Sequence, residues 1–406
     1  MVTDLRALVS TGRVSAAVAA AGVSSFALLY APQAVLPQLA WAYGLDPGSA
    51  SLTVGVATTA LALAVLPLAA LSEVVDRRKI IVWSVIGSAV LGLLLPLAPD
   101  YRVLLVMRVL QGVAIAGFPG VAAAYLADQV GAARLPAAVG AMIAGNSVGG
   151  MLGRLGAGFT AEPLGWHGAL LVVAGVSAAC AVFAAVTLPR TVRPAPAPAR
   201  SGPAPDRRWI RRMAVPCAAG SLGMGAFVAV YNAAGFRLTA PPLDLAPAVA
   251  SLVFLAYATG TVSSAAAGRL VDRLGRGPAL VAALATTVAG TLLTLPDAVP
   301  VVAAGFAILT AGFFAAHTVA SAWVAAEAPP RARGRAAGLY TLCYYLGSGA
   351  GGTAGTAVYG HAGWPALVAL IAGWLLLALV TVLVTRRPPR GRRGSPARNP
   401  QATSAL

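Results

Sequence analysis

About a dozen apolar runs, each of roughly 20 residues, follow one another along the chain, separated by short breaks carrying Pro, Gly, Asp or Arg. A run of that length crosses the hydrocarbon core of a bilayer as a helix, because lipid offers nothing else to satisfy backbone N–H and C=O groups. The predicted spans are 15–41, 50–71, 79–98, 102–126, 135–159, 166–188, 213–236, 247–268, 278–296, 299–325, 335–359 and 364–385. With 58% hydrophobic and only 10% charged residues, a 406-residue chain has too few charges to coat a soluble domain. An all-α integral membrane protein with 12 transmembrane helices is therefore expected. The first span follows Arg6 and Arg13 but is too long for a signal peptide, and further spans follow it, so it is taken as helix one.

The net charge of +17 would suggest nucleic acid in a soluble protein, so the positions of the charges decide. Basic residues fall at the N-terminus, at Arg77, Arg78 and Lys79, at Arg134, between Arg190 and Arg212, at Arg269, Arg273 and Arg276, at Arg331, Arg333 and Arg335, and from Arg386 to Arg398. These are alternate breaks, hence one side of a membrane. The intervening turns carry Asp46, Asp100, Glu162, Asp244 and Asp297, with Arg102 and Arg237 as basic exceptions. The positive-inside bias then predicts a multi-pass protein of the cell (plasma or inner) membrane with both termini cytoplasmic. No aromatic residues interleave the basic runs, which argues against nucleic acid. Cys180, Cys217 and Cys343 are odd in number and lack CxxC spacing, so no disulfide framework or zinc site follows, and neither cofactor nor metal is expected.

The second half repeats the first at an offset near half the chain length. Phe26–Tyr30 meets Phe227–Tyr231, Ala50–Leu52 meets Ala250–Leu252, Glu73 meets Asp272, and Asp128 with Arg134 meets Glu327 with Arg333. Gly145–Arg154 meets Gly347–Thr356, and Gly165-Trp166 meets Gly363-Trp364. A series in order at nearly constant offset implies two parallel six-helix bundles, residues 1–188 and 213–386. Between them lies a Pro-, Ala- and Arg-rich segment, 189–212, expected to be an extended cytoplasmic linker, and residues 387–406 read as a disordered basic tail lying against anionic headgroups.

The segment GRLVDRLGR, Gly268–Arg276, resembles the loop signature of the major facilitator superfamily, and Leu71–Lys79 is similar to a decayed copy with Glu73 at the Asp position and Asp76 at a Gly position. RVLQG, Arg108–Gly112, resembles the helix-four motif of that family's drug:proton antiporter branch. GNSVGG resembles its helix-five motif, with Asn146 in place of proline. Gly312–Ala325 and Tyr344–Gly352 are similar to bacterial YnfM-like, predicted arabinose-efflux permeases. The resemblance implies alternating access to one pathway between the halves, with export favoured. It also implies a cytoplasmic gate of Glu73, Asp76, Arg77, Gly268, Asp272, Arg273, Gly275 and Arg276, with Asp128 and Glu327 as acidic partners.

Features present in both halves serve the shared architecture, whereas a costly charge kept in one half asks for a function. Gly145, Gly149 and Gly153 recur every four residues, as do Gly347, Gly351 and Gly355. That spacing lets helix backbones approach closely, and the seams between the halves are the expected place. Arg108, Arg154 and His317 break the symmetry, their counterparts being Leu309, Thr356 and Ala116. Counting inward from Asp100 and Glu162 puts both arginines roughly 12 Å deep. There a charge normally faces a wet cavity or a partner, so the two either line one cavity with Gln111 and Asn146, or each caps a helix carbonyl or snorkels outward. His317 is the only intramembrane candidate for proton coupling, or is satisfied by a carbonyl. Tyr30, Gln33, Tyr231 and Asn232 offer neutral groups for a solute site or for packing.

No GxxxxGK[ST] loop exists and Lys79 is the only lysine, so direct ATP hydrolysis is excluded. No catalytic residues are expected and the chain does not read as an enzyme. A monomeric secondary transporter remains, exporting a small organic molecule in exchange for protons. An importer of a sugar or organic acid shares these features, and a channel or a non-transporting sensor fits them less well. Two fixed positive charges favour an anionic or polyhydroxylated substrate over a lipophilic cation.

Overall fold

The computed structural model describes residues 2–131, 133–190, 208–329 and 332–384. Among them the helices α1 (Gly12–Tyr43), α2 (Pro47–Leu71), α3 (Arg77–Leu97) and α4 (Tyr101–Gln129) run alternately between two ends of the molecule. The next helix, Leu135–Thr187, is broken at Gly165 into α5 (135–164) and α6 (166–187). The pattern then repeats as α7 (Ala214–Thr239), α8 (Pro247–Leu274), α9 (Arg276–Leu292) and α10 (Val299–Glu327). Arg333–Val384 is broken at Gly363 into α11 (333–362) and α12 (364–384). Twelve membrane-length helices are thus present among the described residues, as expected from the sequence.

Local chemistry sets the ends. Asp46, Asp76 and Asp100 each accept a hydrogen bond from a backbone N–H in the first turn of α2, α3 and α4, satisfying donors that a helix start leaves unpaired. Asp46 and Asp100 are therefore caps as well as topology signals. At Gly165 and Gly363 φ is 63° and 77° with ψ near 180°, a backbone that only glycine adopts without strain. Each of these glycines folds one helix directly into the next, and the following tryptophans, Trp166 and Trp364, are buried beneath the turn.

Each half closes on its own apolar core, one built mainly from residues 14–188 and the other mainly from 213–382. Large apolar side chains such as Trp83, Val106, Leu152, Val262 and Leu377 stay exposed, which suits a surface solvated by lipid. The glycine ladders lie inside these halves, correcting the expectation that they form the seams between them. A Cβ on Gly149 or Gly153 would stand within 2.6 Å of the backbone of Val23 or Ala27 on α1. Gly145 meets Ala19 of the same helix, while Gly347, Gly351 and Gly355 meet Ser221, Gly225 and Ala229 of α7. Neighbouring helices of one bundle need the closest approach because they are cut from a common core.

The halves meet elsewhere. Helix α2 follows α11 from end to end, with Gly48 against Ala357, Gly55 against Thr353, and Leu66 against Gly338. On the opposite side the main contacts among the described residues lie at the end that carries the acidic turns. There Pro37 packs on Gly235, and Gly158 of α5 packs on Ser251 of α8. One further correction concerns the linker expected over 189–212. Arg208–Arg212 is helical and leads into α7, while 191–207, Arg331 and the tail 387–406 lie outside the described residues.

Candidate functional site

Arg154 sits on α5 at the seam between the halves and is 2% exposed. Its Nε donates to Gln33 Oε1 at 2.5 Å and its Nη1 to the Gly150 carbonyl at 2.7 Å. The guanidinium carbon lies 4.1 Å from the ring centre of Tyr30, 4.6 Å from Tyr257 and 5.5 Å from Phe254. These are cation–π distances, with Tyr30 contributed by one half and the other two rings by the opposite half. Gln33 passes the network across the seam, its Nε2 donating to Asn232 Oδ1 at 2.7 Å. The amide Nδ2 of Asn232 is buried without a partner. Gln33 projects here because α1 tightens into a 3-10 turn over Ala31–Val35, with Pro32 at its start.

Tyr231 supports the rings from behind. Its hydroxyl is bonded to Thr310 Oγ1 at 2.7 Å, and its ring centre lies 5.2 Å from Tyr257 and 5.7 Å from Phe254. A void of about 80 Å³ lies on the acidic-turn side of this layer, lined by Gln33, Pro37, Gln38, Gly235, Ser251 and Phe254. In the other direction an aromatic wall continues through the C-terminal half. Tyr257 leads to Phe227 at 5.5 Å, Phe227 stacks on Phe313 at 4.0 Å, and His317 stands 4.5 Å from Tyr344. The Nδ1 of His317 lies 2.9 Å from the Tyr340 hydroxyl, and among the described residues no carboxylate pairs with it.

Arg108 has a different environment. It is 0% exposed and donates to the carbonyls of Leu28, Leu29 and Thr53 and to Gln111 Oε1, at 2.5 to 3.1 Å. Gln111 in turn donates to the Ser88 carbonyl. The two arginines share no partner, which corrects the expectation of one common cavity. Helix α1 separates them, offering carbonyls of residues 28 and 29 to Arg108 and side chains of residues 30 and 33 to Arg154. Asn146 joins neither group: its Oδ1 has no hydrogen-bond partner and packs on Gly22 of α1.

At the basic end the gate residues pair within their own halves. Asp76 caps α3, and Arg77 bonds Asp128 at the end of α4. In the repeat, Arg276 and Arg212 lie 3.9 and 3.8 Å from Glu327 at the end of α10. Gly275 takes φ 80° between α8 and α9, the sharp break that the loop signature requires. Glu73, Asp272 and Arg273 are exposed, and a Cβ on Gly268 would meet open space.

Sequence reasoning missed Phe254 and Tyr257. The signal was available, since the repeat offset sets Tyr257 against Ala57, an asymmetry of the kind that singled out the arginines.

The profile of the Major Facilitator Superfamily matches residues 17–236 and, separately, 222–405. The chain is 34% identical over 368 residues to the uncharacterized MFS-type transporter YybF of Bacillus subtilis (strain 168), covering 89% of this chain and 90% of that one. It is 36% identical over 372 residues to the inner membrane transport protein YnfM of Escherichia coli (strain K12), covering 91% and 89%. Among solved structures, the fold is similar to the peptide transporter POT in complex with sulfate, with TM-score 0.76, 12% identity and coverage of 92% and 94%. It is also similar to a bacterial homolog of the human lysosomal transporter Spinster in an inward-facing, unoccupied conformation, with TM-score 0.73, 16% identity and coverage of 94% and 99%. Two repeated bundles, a polar and aromatic seam at membrane depth and these matches place the chain in the major facilitator superfamily.

Proposed function

We propose that the protein exports a small organic molecule across the cell membrane in exchange for protons, by alternating access, as a monomer with both termini in the cytoplasm. The observation that carries this reading is the Arg154–Gln33–Asn232 bridge. A polar network that joins the two halves near the acidic end is what a two-state carrier must break and remake. With the basic end inside the cell, the halves are closed outside and meet on the inside chiefly along α2 and α11. His317 is the proton-carrying group of this reading, because every Asp and Glu lies at a span end or in a loop. Arg77–Asp128 and the Glu327 pairs act as the inner gate.

Everted membrane vesicles test this directly. A panel of organic anions, sugars and cations is offered with and without an imposed pH gradient. Gradient-driven uptake of at least one solute, absent from vesicles lacking the protein, is expected. Uptake indifferent to the gradient removes proton coupling, and uptake only into right-side-out vesicles reverses the direction.

A further inference from the structure

We propose that Arg154 and the rings around it recognise a flat aromatic solute bearing a single carboxylate. The proposal rests on reading the same seam as the transport pathway, and three observations carry it.

The first is uncompensated charge. Arg154 is buried, and among the described residues no carboxylate pairs with it. Its hydrogen-bond partners, a side-chain amide, a main-chain carbonyl and the Tyr257 hydroxyl, are all neutral. A guanidinium has five N–H donors in a rigid fork that matches a carboxylate edge-on. Gln33 and Gly150 engage Nε and Nη1 and the Tyr257 hydroxyl is a further partner, all of them neutral, so an incoming carboxylate would supply the charge that none of them carries.

The second is the shape of what surrounds the charge. The guanidinium carbon stands over the rings of Tyr30 and Tyr257, which close those sides, so an anion approaches from the sides that remain. From Tyr257 the wall of Phe227, Phe313, His317 and Tyr344 runs on without a charged side chain, and Tyr257, His317 and Tyr344 are only half-buried. That surface favours a ring system lying against it and offers few acceptors for a sugar. The third is a spare donor: Asn232 Nδ2, one step along the bridge, has no partner. Arg108 serves as the internal contrast, since four acceptors already surround it.

The test is equilibrium binding to the purified full-length protein in detergent, using four matched probes. These are 2-naphthoate, its amide 2-naphthamide, its saturated analogue decalin-2-carboxylate, and 2-naphthylmethylammonium. Naphthoate should bind about tenfold or more tightly than the amide and several-fold more tightly than the decalin acid, and the ammonium should not compete. Arg154→Gln should bring the acid-to-amide ratio to about one. Tyr257→Leu should erase the preference for the flat ring and keep the preference for the acid, a split that general unfolding does not produce. Equal binding of acid and amide, tighter binding of the ammonium, or no binding of any probe to folded protein overturns the proposal. The outcomes separate from those of the transport reading. Solutes that move in vesicles without competition from naphthoate defeat the recognition alone, whereas a clear acid preference in a protein that moves nothing defeats the transport alone.

Discussion

Arg108 and Arg154 enter the same half of the molecule at similar depth, yet one is braced and the other is shared. Around Arg108 three main-chain carbonyls and Gln111 close a cage within one bundle, so the charge ties α1, α2 and α4 together. Around Arg154 the partners come from both bundles and most are ring faces, so the same charge ties together surfaces that have to part. A buried ion is thus neither structural nor functional by residue type. What decides is whether its partners belong to one rigid body or to two.

The largest effect separating the two falls on stability. Arg108→Ala removes the buried donor that the carbonyls of Leu28, Leu29 and Thr53 share, including that of Leu28, whose i+4 residue Pro32 has no N–H, and a loss of about 3 kcal/mol or more is expected, read as a lower melting temperature in detergent and reduced membrane yield. An unchanged melting temperature would show that the cage braces nothing. Arg154→Gln comes next: it forfeits its cation–π contacts, about 1–2 kcal/mol of stability, but transport should fall about tenfold or more. Were Arg154→Gln to lose yield and keep turnover, the comparison would be inverted.

A smaller effect sharpens the meaning of a shared partner. Gln33→Leu cuts the side-chain bridge to Asn232, worth about 1 kcal/mol, and should raise the population open at the acidic end about fivefold. Faster labelling of a Gly235→Cys reporter by a membrane-impermeant thiol reagent is the readout, and unaltered labelling would mean that the bridge does not hold that end. The smallest effect is expected far from either arginine. The Asp46 carboxylate is held below its usual pKa by hydrogen bonds from the Ser49 hydroxyl and backbone N–H. Because the folded pKa is depressed, the cap is fully present above the ordinary carboxylate range and fades as pH falls through the lowered value. Asp46→Ala should therefore cost about 1 kcal/mol or less at neutral pH and nothing in strong acid, by melting curves across pH.

The fold was legible because lipid leaves a backbone so few options. Apolar runs gave the helices, the Gly-Trp pairs marked where α5 turns into α6 and α11 into α12, and the repeated match of the family profile agrees with the internal repeat. The site was only half legible. The sequence shows an arginine at depth, but three of the four acceptors of Arg108 are main-chain oxygens, which any residue supplies and no side chain advertises. The ring partners Phe254 and Tyr257 stand about 100 positions from Arg154 in sequence, in the other bundle, and only the packing of α5 on α8 brings them together. For the glycine ladders, spacing announced a close approach without naming the helix approached.

Both guanidiniums belong to the N-terminal bundle, and among the described residues no acid pairs with either, so that bundle carries two positive charges wherever it tilts. Membrane voltage acts on such charges. One elementary charge moved through a full bilayer at 100 mV exchanges about 2.3 kcal/mol, so a displacement of a tenth of the thickness exchanges about 0.2 kcal/mol per arginine. In the exchange proposed above, an anion held by Arg154 would cancel half of that, which would make the substrate-free, proton-loaded return more voltage-sensitive than the substrate-loaded step. In vesicles clamped at different potentials, net flux should then respond to voltage more steeply than substrate-for-substrate exchange, a process that never requires the substrate-free protein to reorient.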